Sequence, residues 1–293
     1  MPRGERVCAV VVTYNRREML VECLRALQGQ TRVPDQILVV DNASTDGTPD
    51  LVREEFPDVD LLALEENVGG AGGFYEGMRT AYERGADWLW LMDDDTIASP
   101  TALERLLGPL HDLRDDGIRP GLMMSKVVWT DGTLHPMNTP RPEVRRRPEA
   151  VDAAGRGLLL IRTGSFASIL VHRDAVAEHG LPHREYFIWN DDFEYTARVL
   201  RRGTGYLVPD SLVEHRTKTL YTPYQEQGPR FYYEVRNKLL MLRGDAWTAK
   251  EKLDFVQKHA RTIWQFLRAS PRRGEALGIV WRGLRDGLLG RTP

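Results

Sequence analysis

The sequence predicts an α/β fold: a doubly wound, mostly parallel sheet with helices on both faces. Short apolar runs rich in β-branched residues alternate with stretches of helical periodicity through the amino-terminal third of the chain. Three of those runs end in polar loops, Thr13 to Arg16, Asp41 to Asp46 and Asp93 to Asp95. Ligands of open α/β sheets sit beyond the carboxyl ends of the strands, which makes these loops the first candidates for a site.

Val7 to Val12 is a continuous apolar run suited to a strand buried on both faces. Leu20, Val21, Leu24 and Leu27 then recur at helical spacing between Glu18 and Leu27. Gln36 to Val40 reads as a second strand, Asp41 to Gly47 as a polar turn and Thr48 to Glu55 as a short helix. A third strand is expected at Asp60 to Leu64. The glycine-rich Asn67 to Gly73 reads as a loop before a helix from Phe74 to Arg84, and Trp88 to Met92 as a fourth strand running into Asp93, Asp94 and Asp95. The second half is less regular. Arg141 to Arg147, basic and flanked by proline, is expected to be a mobile surface loop. Strands are expected at Gly157 to Ile161 and Phe166 to Val171, a helix at Asp192 to Arg202, and mainly helix from Phe231 onward with a break at Ser270-Pro271.

The 293 residues, 42% of them apolar, suffice for a substantial core. A formal net charge of −2 argues against nucleic acid as a partner. Cys8 and Cys23 are the only cysteines, and buried thiols in a reducing, cytoplasmic setting are the expectation. No segment approaches the roughly 20 apolar residues that span a bilayer. The chain is therefore expected to be neither exported nor integral, with peripheral membrane contact left open.

The acidic triplet admits two readings: a solvated turn or helix cap, or a cation site. Three adjacent like charges without a counter-ion are unfavourable, and the run directly ends an apolar strand, which favours the cation. Side chains alternate along a strand, pairing Asp93 with Asp95. Mg²⁺ or Mn²⁺ prefers such carboxylate oxygens and can offset the charge of a departing nucleoside diphosphate.

Taken together, Val10 to Arg16, Val39 to Thr48 and Met92 to Asp95 resemble the ordered motifs of the family 2 glycosyltransferases, which have the GT-A fold. Glu66 to Phe74 together with Phe187 to Tyr195 resembles the bacterial galactofuranosyltransferases and related rhamnosyltransferases within that family. The resemblance runs over residues 7 to 240. It implies that Thr13 and Asp41 border the nucleobase and ribose, with Asn15 and Arg16 on the same donor side. It places Asp93 near the ribose or diphosphate and Asp95 on the metal, and leaves Asp94 on the donor side without a defined role. Asn67, Gly69 and Gly70 would shape the donor pocket, the glycines by admitting close approach and positive φ.

Asp191 and Asp192 precede an expected helix and either caps it or acts in catalysis. The resemblance implies an acidic pair whose second member is the general base, hence Asp192 as base and Asp191 orienting the acceptor. Trp189, as a stacking surface, and Glu194 are assigned to the acceptor side. His215 is implied as a further metal ligand, since imidazole suits Mn²⁺. His135 keeps the ordinary reading of a lone histidine. Tyr232, Tyr233, Arg236 and Asn237 resemble a family element, with packing an equal alternative.

From Lys258 to Pro293 eight Lys or Arg stand against two acidic residues, interleaved with Trp264, Leu267, Trp281 and Leu288. Such a segment either packs as an ordinary helix or lies on an anionic membrane at the inner face of the plasma membrane. The resemblance divides the chain into a catalytic domain over 1–230, with a nucleotide-sugar half over 1–120 and an acceptor and base half over 121–230, and a helical extension over 231–293. It implies an inverting, metal-dependent transfer of galactofuranose from UDP-galactofuranose to a bacterial cell-surface glycan or lipid-linked acceptor. Rhamnosyl transfer from dTDP-rhamnose is the near alternative. A nucleotidyltransferase, whose basic glycine-rich signature Thr13 to Arg17 lacks, and a non-catalytic sugar-nucleotide sensor are the readings of another class.

Overall fold

Four parallel strands form the amino-terminal part of the sheet: β1 (Val7–Thr13), β2 (Gln36–Asp41), β3 (Asp60–Ala63) and β4 (Trp88–Asp93), in the spatial order β3-β2-β1-β4. β1 is buried at every position, as a β-branched strand covered on both faces must be. The connecting helices are α1 (Arg17–Gln28), α2 (Thr48–Glu55) and α3 (Gly69–Glu83). The computed structural model describes residues 5–217 and 228–291. Lys218 and Thr219 of the histidine-bearing stretch, and residues 292–293 of the basic end, lie outside the described residues.

The chain continues through β5 (Thr96–Ala98), α4 (Ala102–Leu107), α5 (Leu110–Asp115), β6 (Leu122–Val128), β7 (Arg141–Pro142), α6 (Arg147–Gly155), β8 (Leu159–Thr163), β9 (Ile169–His172), α7 (Arg173–His179), α8 (Asp191–Val199) and β10 (Gly205–His215). β9 runs antiparallel to both β4 and β6 and so joins the two parts of one mixed sheet, whose longest ladders are parallel. β6 was not legible as a strand because Ser125 and Lys126 interrupt it; in the core Ser125 bonds the Ser168 and Ser211 hydroxyls at 2.7 and 2.8 Å. β10 contains Pro209 and Asp210, which fall in a register shift between Val208 and Leu212. Beyond that irregularity it pairs antiparallel with β5, setting His215 opposite Thr96.

Two expectations are corrected. The glycine-rich segment is not a loop: α3 begins at Gly69, and only that glycine has positive φ, at 74°. The others let the helix press on the sheet. A Cβ on Gly73 would stand 2.5 Å from Val12 Cγ1, and one on Gly77 2.4 Å from Val10 Cγ1. Arg141 to Arg147 is not a mobile loop either. Arg141 and Pro142 pair with β8, Glu143 is buried, and Arg147 opens α6. The helix expected near Pro100 begins at Ala102 without a side-chain cap, so the acidic triplet caps nothing there.

The carboxyl end forms α9 (Phe231–Met241), α10 (Ala249–Ala269) and α11 (Arg273–Leu289), with the break at Ser270. Thr248 and Glu251 cap α10 reciprocally. Phe231 stacks on Phe266 with centroids 3.7 Å apart, and Gly283 lets α11 close on Val235 of α9. Among the described residues no helix is long and apolar enough to cross a membrane.

The contact of α3 with the sheet sets the first prediction. Gly77→Ala is expected to lower stability by about 1–3 kcal/mol through overpacking against Val10 and Val40. Gly70→Ala, whose Cβ would meet nothing within 4 Å, is expected to stay within about 0.5 kcal/mol of the parent. Denaturant melts of both variants decide it, and equal effects would refute the packing account.

Candidate functional site

A cleft of 680 Å³ opens at the carboxyl ends of β1 and β4 and is closed on its far side by the start of α8 and by α9. Asp93 ends β4 in register with Val12. The alternation of the strand turns Asp94 the other way, where it accepts from Thr13 Oγ1 at 2.7 Å. Asp95 returns to the side of Asp93 and meets His215, brought there by the β5–β10 pairing. His215 Nε2 lies 2.9 Å from Asp95 Oδ1 and 4.0 Å from Asp93 Oδ2. One ligating atom from each of these three residues falls within 4.8 Å of the others, an O, O, N set that fits Mn²⁺ or Mg²⁺.

The orientation of His215 is fixed from behind. Its Nδ1 stands 2.8 Å from Asn138 Oδ1, and Asn138 in turn donates to Ser165 Oγ at 3.0 Å. An amide oxygen only accepts, so Nδ1 carries the proton and Nε2 faces the carboxylates. His135 packs beside it with ring centroids 4.9 Å apart, and its Nε2 meets Thr217 Oγ1 at 3.1 Å. Burial, with the charge of His215 adding, pushes His135 down to about 4, so a neutral imidazole backs the site. Asn138 and His135 carry no signal in the local sequence; they come from a separate loop that only the tertiary fold brings here.

The charges are unequally compensated. Burial opposes the charge of Asp95, but the hydrogen bond and charge of His215, joined by Arg16, outweigh it and hold the carboxyl at about 2. Burial pushes Asp93 up to about 6; His215 pulls against this, while Asp95 and Asp192 add to it. Asp94 is pushed up to about 7, by burial first and Asp95 second. Arg16 contacts Asp95 directly and lies 3.6 Å from Asp94. His215 is raised, its burial being outweighed by the bond to Asp95.

Of the residues expected on the donor side, Thr13, Arg16, Asn67, Gly69 and Gly70 line the cleft. Asn67 Oδ1 accepts from Gly69 N at 2.8 Å and so fixes the start of α3. Asp41, at the end of β2, is buried and is not among the residues that line the cleft. One of its oxygens accepts from Ser44 N at 2.9 Å and the other, Oδ1, has no partner. Asn42, which sequence reasoning passed over, lines the cleft and also has a buried Oδ1 without a partner. Asn15 is a tie between loops: it donates its N–H to Ser44 Oγ at 2.9 Å and accepts from Thr45 N at 2.8 Å.

On the opposite side Asp191 and Asp192 are the first residues of α8. The turn before them is strained: Phe187, Trp189 and Asn190 have φ of 64°, 64° and 69°. α9 holds it. Asn237 Nδ2 donates to the carbonyls of Tyr186, Ile188 and Trp189 at 3.0, 2.9 and 2.9 Å, and Arg236 Nη2 to those of Glu185 and Tyr186 at 2.7 and 2.9 Å. From the other flank Ala71 N donates to the Phe187 carbonyl at 3.1 Å, where a side chain on Gly69 would collide. Burial raises Asp191 well above the ordinary range, with the charge of Asp192 adding. Asp192 is raised by burial too, against the Phe193 amide and Lys238. Trp189 lines the cleft half-buried, beside Phe187 and Tyr233, which stack at 5.1 Å. Glu194 does not reach the cleft: it is buried and paired with Arg198 at 3.0 Å.

Residues 8–179 match the family described as Glycosyl transferase family 2. Galactofuranosyltransferase GlfT1 of Mycolicibacterium smegmatis is 32% identical over 284 residues, which cover 91% of this chain and 91% of that protein. N-acetylglucosaminyl-diphospho-decaprenol L-rhamnosyltransferase of Mycobacterium tuberculosis is 24% identical over 235 residues, 70% of this chain and 74% of that one. Among solved structures, S. aureus TarS 1–349 in complex with UDP-GlcNAc superposes with a TM-score of 0.61 at 16% identity, over 98% of this chain and 82% of that one. That likeness establishes a GT-A-like fold.

Because Asp93 titrates near 6, protons compete with a cation for the three-ligand set. Mn²⁺ affinity, followed by electron paramagnetic resonance of the free ion, is expected to fall as pH drops below 7, by about tenfold or more per unit once below 6. Asp95→Ala is expected to abolish binding. Affinity that stays flat with pH, or survives that substitution, would place the ion elsewhere.

Proposed function

The chain belongs to glycosyl transferase family 2, and on that premise we propose an inverting, divalent-cation-dependent transfer of galactofuranose from UDP-galactofuranose to a bacterial cell-surface glycan or lipid-linked acceptor. One observation carries the reading: a single cleft has the Asp93, Asp95 and His215 set on one wall and the Asp191–Asp192 pair on the other, close enough for Asp192 to raise Asp93. Family membership makes the chain a glycosyltransferase, which sets aside the nucleotidyltransferase and the sensor.

Asn42, which lines the cleft, has an unpartnered buried oxygen suited to accept from the N–H and O–H groups of a nucleoside, with Asp41 and its own unpartnered oxygen buried beside it in the chain. A cation held by Asp93, Asp95 and His215 would neutralise the diphosphate as it leaves. Arg16 adds a second positive charge at the same end. Asp192 takes the proton of the acceptor hydroxyl as that oxygen attacks the sugar carbon on the face opposite the diphosphate, which inverts the configuration. Its raised pKa makes it a stronger base than an exposed carboxylate. Asp191, buried behind it, orients the hydroxyl, and Trp189 offers an apolar face to the acceptor ring.

The second reading, rhamnosyl transfer from dTDP-rhamnose, is favoured by the similarity to the rhamnosyltransferase. Incubation with each nucleotide sugar and Mn²⁺ separates the two by which nucleoside diphosphate is released. Asp192→Asn is expected to reduce turnover by about 10²–10⁴-fold while donor binding is spared; undiminished turnover would remove Asp192 from the mechanism.

The outward sides of α10 and α11 support contact with an anionic membrane. Trp264, Leu277, Trp281, Leu288 and Leu289 are all more than half exposed, among exposed Arg261, Arg268, Arg272, Arg273 and Arg282. The double substitution Trp264→Ala and Trp281→Ala is expected to weaken sedimentation with phosphatidylglycerol vesicles by roughly tenfold or more. Equal sedimentation of parent and variant would leave this face a plain solvent surface.

A further inference from the structure

A second, smaller cleft of 180 Å³ lies between α10 and the catalytic domain and joins the main one through Arg141, Glu234 and Lys238. Its remaining wall is α10, with Phe255, Lys258 and His259. The chemistry of this wall is one-sided: four nitrogen-bearing side chains face a single carboxylate, and that carboxylate is committed. Glu234 accepts from Asn190 Nδ2 at 3.0 Å and faces Lys238 at 4.0 Å.

Lys238 is engaged, donating to Asn190 Oδ1 and lying 4.0 Å from Glu234 Oε1, but the other three groups are under-used. Arg141 lies over the rings of Phe193 and Phe255, at 4.5 and 5.0 Å, and has no carboxylate within ion-pair distance among the described residues. Glu251, the nearest negative charge acting on it, is taken by Arg162 and by the cap of α10. Lys258 is exposed at the mouth, likewise without an ion-pair partner among the described residues. His259 is 9% exposed with both ring nitrogens buried; the Val235 backbone is the polar group within reach of one of them, and the other is left without a partner. Burial, with Lys238 adding, pushes it down to about 4, so at neutral pH it is an uncharged ring with one N–H to donate. A buried polar ring left unpaired is costly unless a ligand completes it.

We propose that this cleft is an anion subsite, formed by Arg141, Lys238, Lys258 and His259, for a phosphate or diphosphate group carried by the acceptor. The assignment to the acceptor rests on Asp192 as the base. Lys238 stands next to that residue, so a hydroxyl presented to Asp192 would have the rest of its molecule pointing along the basic cleft. A donor diphosphate would be held at the opposite wall, through a cation on Asp93, Asp95 and His215 and by Arg16, and would not compete for this space. The subsite lies on α10, the helix whose exposed face carries Trp264. At about 100° per residue Phe255, Lys258, His259 and Thr262 share one face of α10 while Trp264, Arg261 and Arg268 fall on the opposite, exposed one, so the subsite opens toward the main cleft and not toward that exposed surface.

Inorganic pyrophosphate and farnesyl diphosphate, titrated calorimetrically into the metal-free full chain with and without UDP, test this directly. Both are expected to bind without displacement by UDP, and Lys258→Glu is expected to weaken them about tenfold or more while leaving UDP affinity within about twofold. Lys258 is exposed, so the fold is retained; His259→Phe, checked by its melting curve, supplies a second reading on the buried wall. Binding unaffected by both substitutions, binding displaced by UDP, or no binding of either probe would overturn the proposal. Tighter binding of farnesyl diphosphate than of pyrophosphate supports a lipid-carried group, whereas equal affinity overturns the assignment to the acceptor and leaves a site for the free anion. The readout is binding, so a failure of Asp192 as base would show in turnover and not here.

Discussion

Mutual repulsion among carboxylates is the constraint on which the site is built. Asp93, Asp94, Asp95, Asp191 and Asp192 all line one cleft, most of them buried, where charge is poorly screened. Each is compensated by a different device. Asp94 has the Thr13 hydroxyl and Arg16, Asp95 has His215 and Arg16, and Asp192 has the first amides of α8 and the charge of Lys238. Burial outweighs these devices at Asp94, which with Asp93 and Asp191 is pushed toward its neutral form, whereas Asp95 stays charged. That uneven distribution separates a wall that attracts cations from a wall that can take up a proton, although the residue type is the same on both.

Holding the two walls at a working separation falls to the turn before α8. Three of its residues sit at positive φ, a conformation that persists only where the surroundings dictate it. Asn237 and Arg236 satisfy its carbonyls from one flank, and α3 satisfies the Phe187 carbonyl from the other. α3 reaches that position because Gly73 and Gly77 let it lie directly on β1 and β2. The placement of Asp192 thus depends on glycines far from it in sequence. It also depends on α9, so the helical extension beyond residue 230 is part of what builds the catalytic cleft.

The strand-end loops were legible in the sequence because short continuous apolar runs, rich in β-branched residues, announce both a strand and where it stops, and side chains alternate along a strand with period two. The pairing of Asp93 with Asp95, and the opposite turn of Asp94, followed from the same periodicity. The start of α3 was misread because its glycine content speaks for a loop locally, whereas the helix–sheet contact that selects glycine is tertiary. Arg141 was misread for a similar reason: proline and charge describe a surface segment, and only pairing with β8 turns its side chain over Phe193. Asn138 gave no local signal, His135 read only as a lone histidine, and Asn42, although inside the second strand-end loop, was not singled out within it. Each acquires its place through a partner distant in the chain.

The wall bearing Asp93 and Asp95 is made largely of loops that leave consecutive parallel strands, so many of its residues stand in fixed relation to strand ends and can be read along the chain. The opposite wall is assembled from the α8 turn, the β7–β8 pair and α9, elements with no common periodicity. Glu194 illustrates the difference: four residues before Arg198 on a helix, it forms an ordinary i,i+4 ion pair that holds α8 instead of facing the cleft. The wall that bears Asp93 and Asp95 therefore belongs to the regular part of the fold, whereas Arg141, Lys238 and His259 meet only after the carboxyl-terminal helices have packed against it.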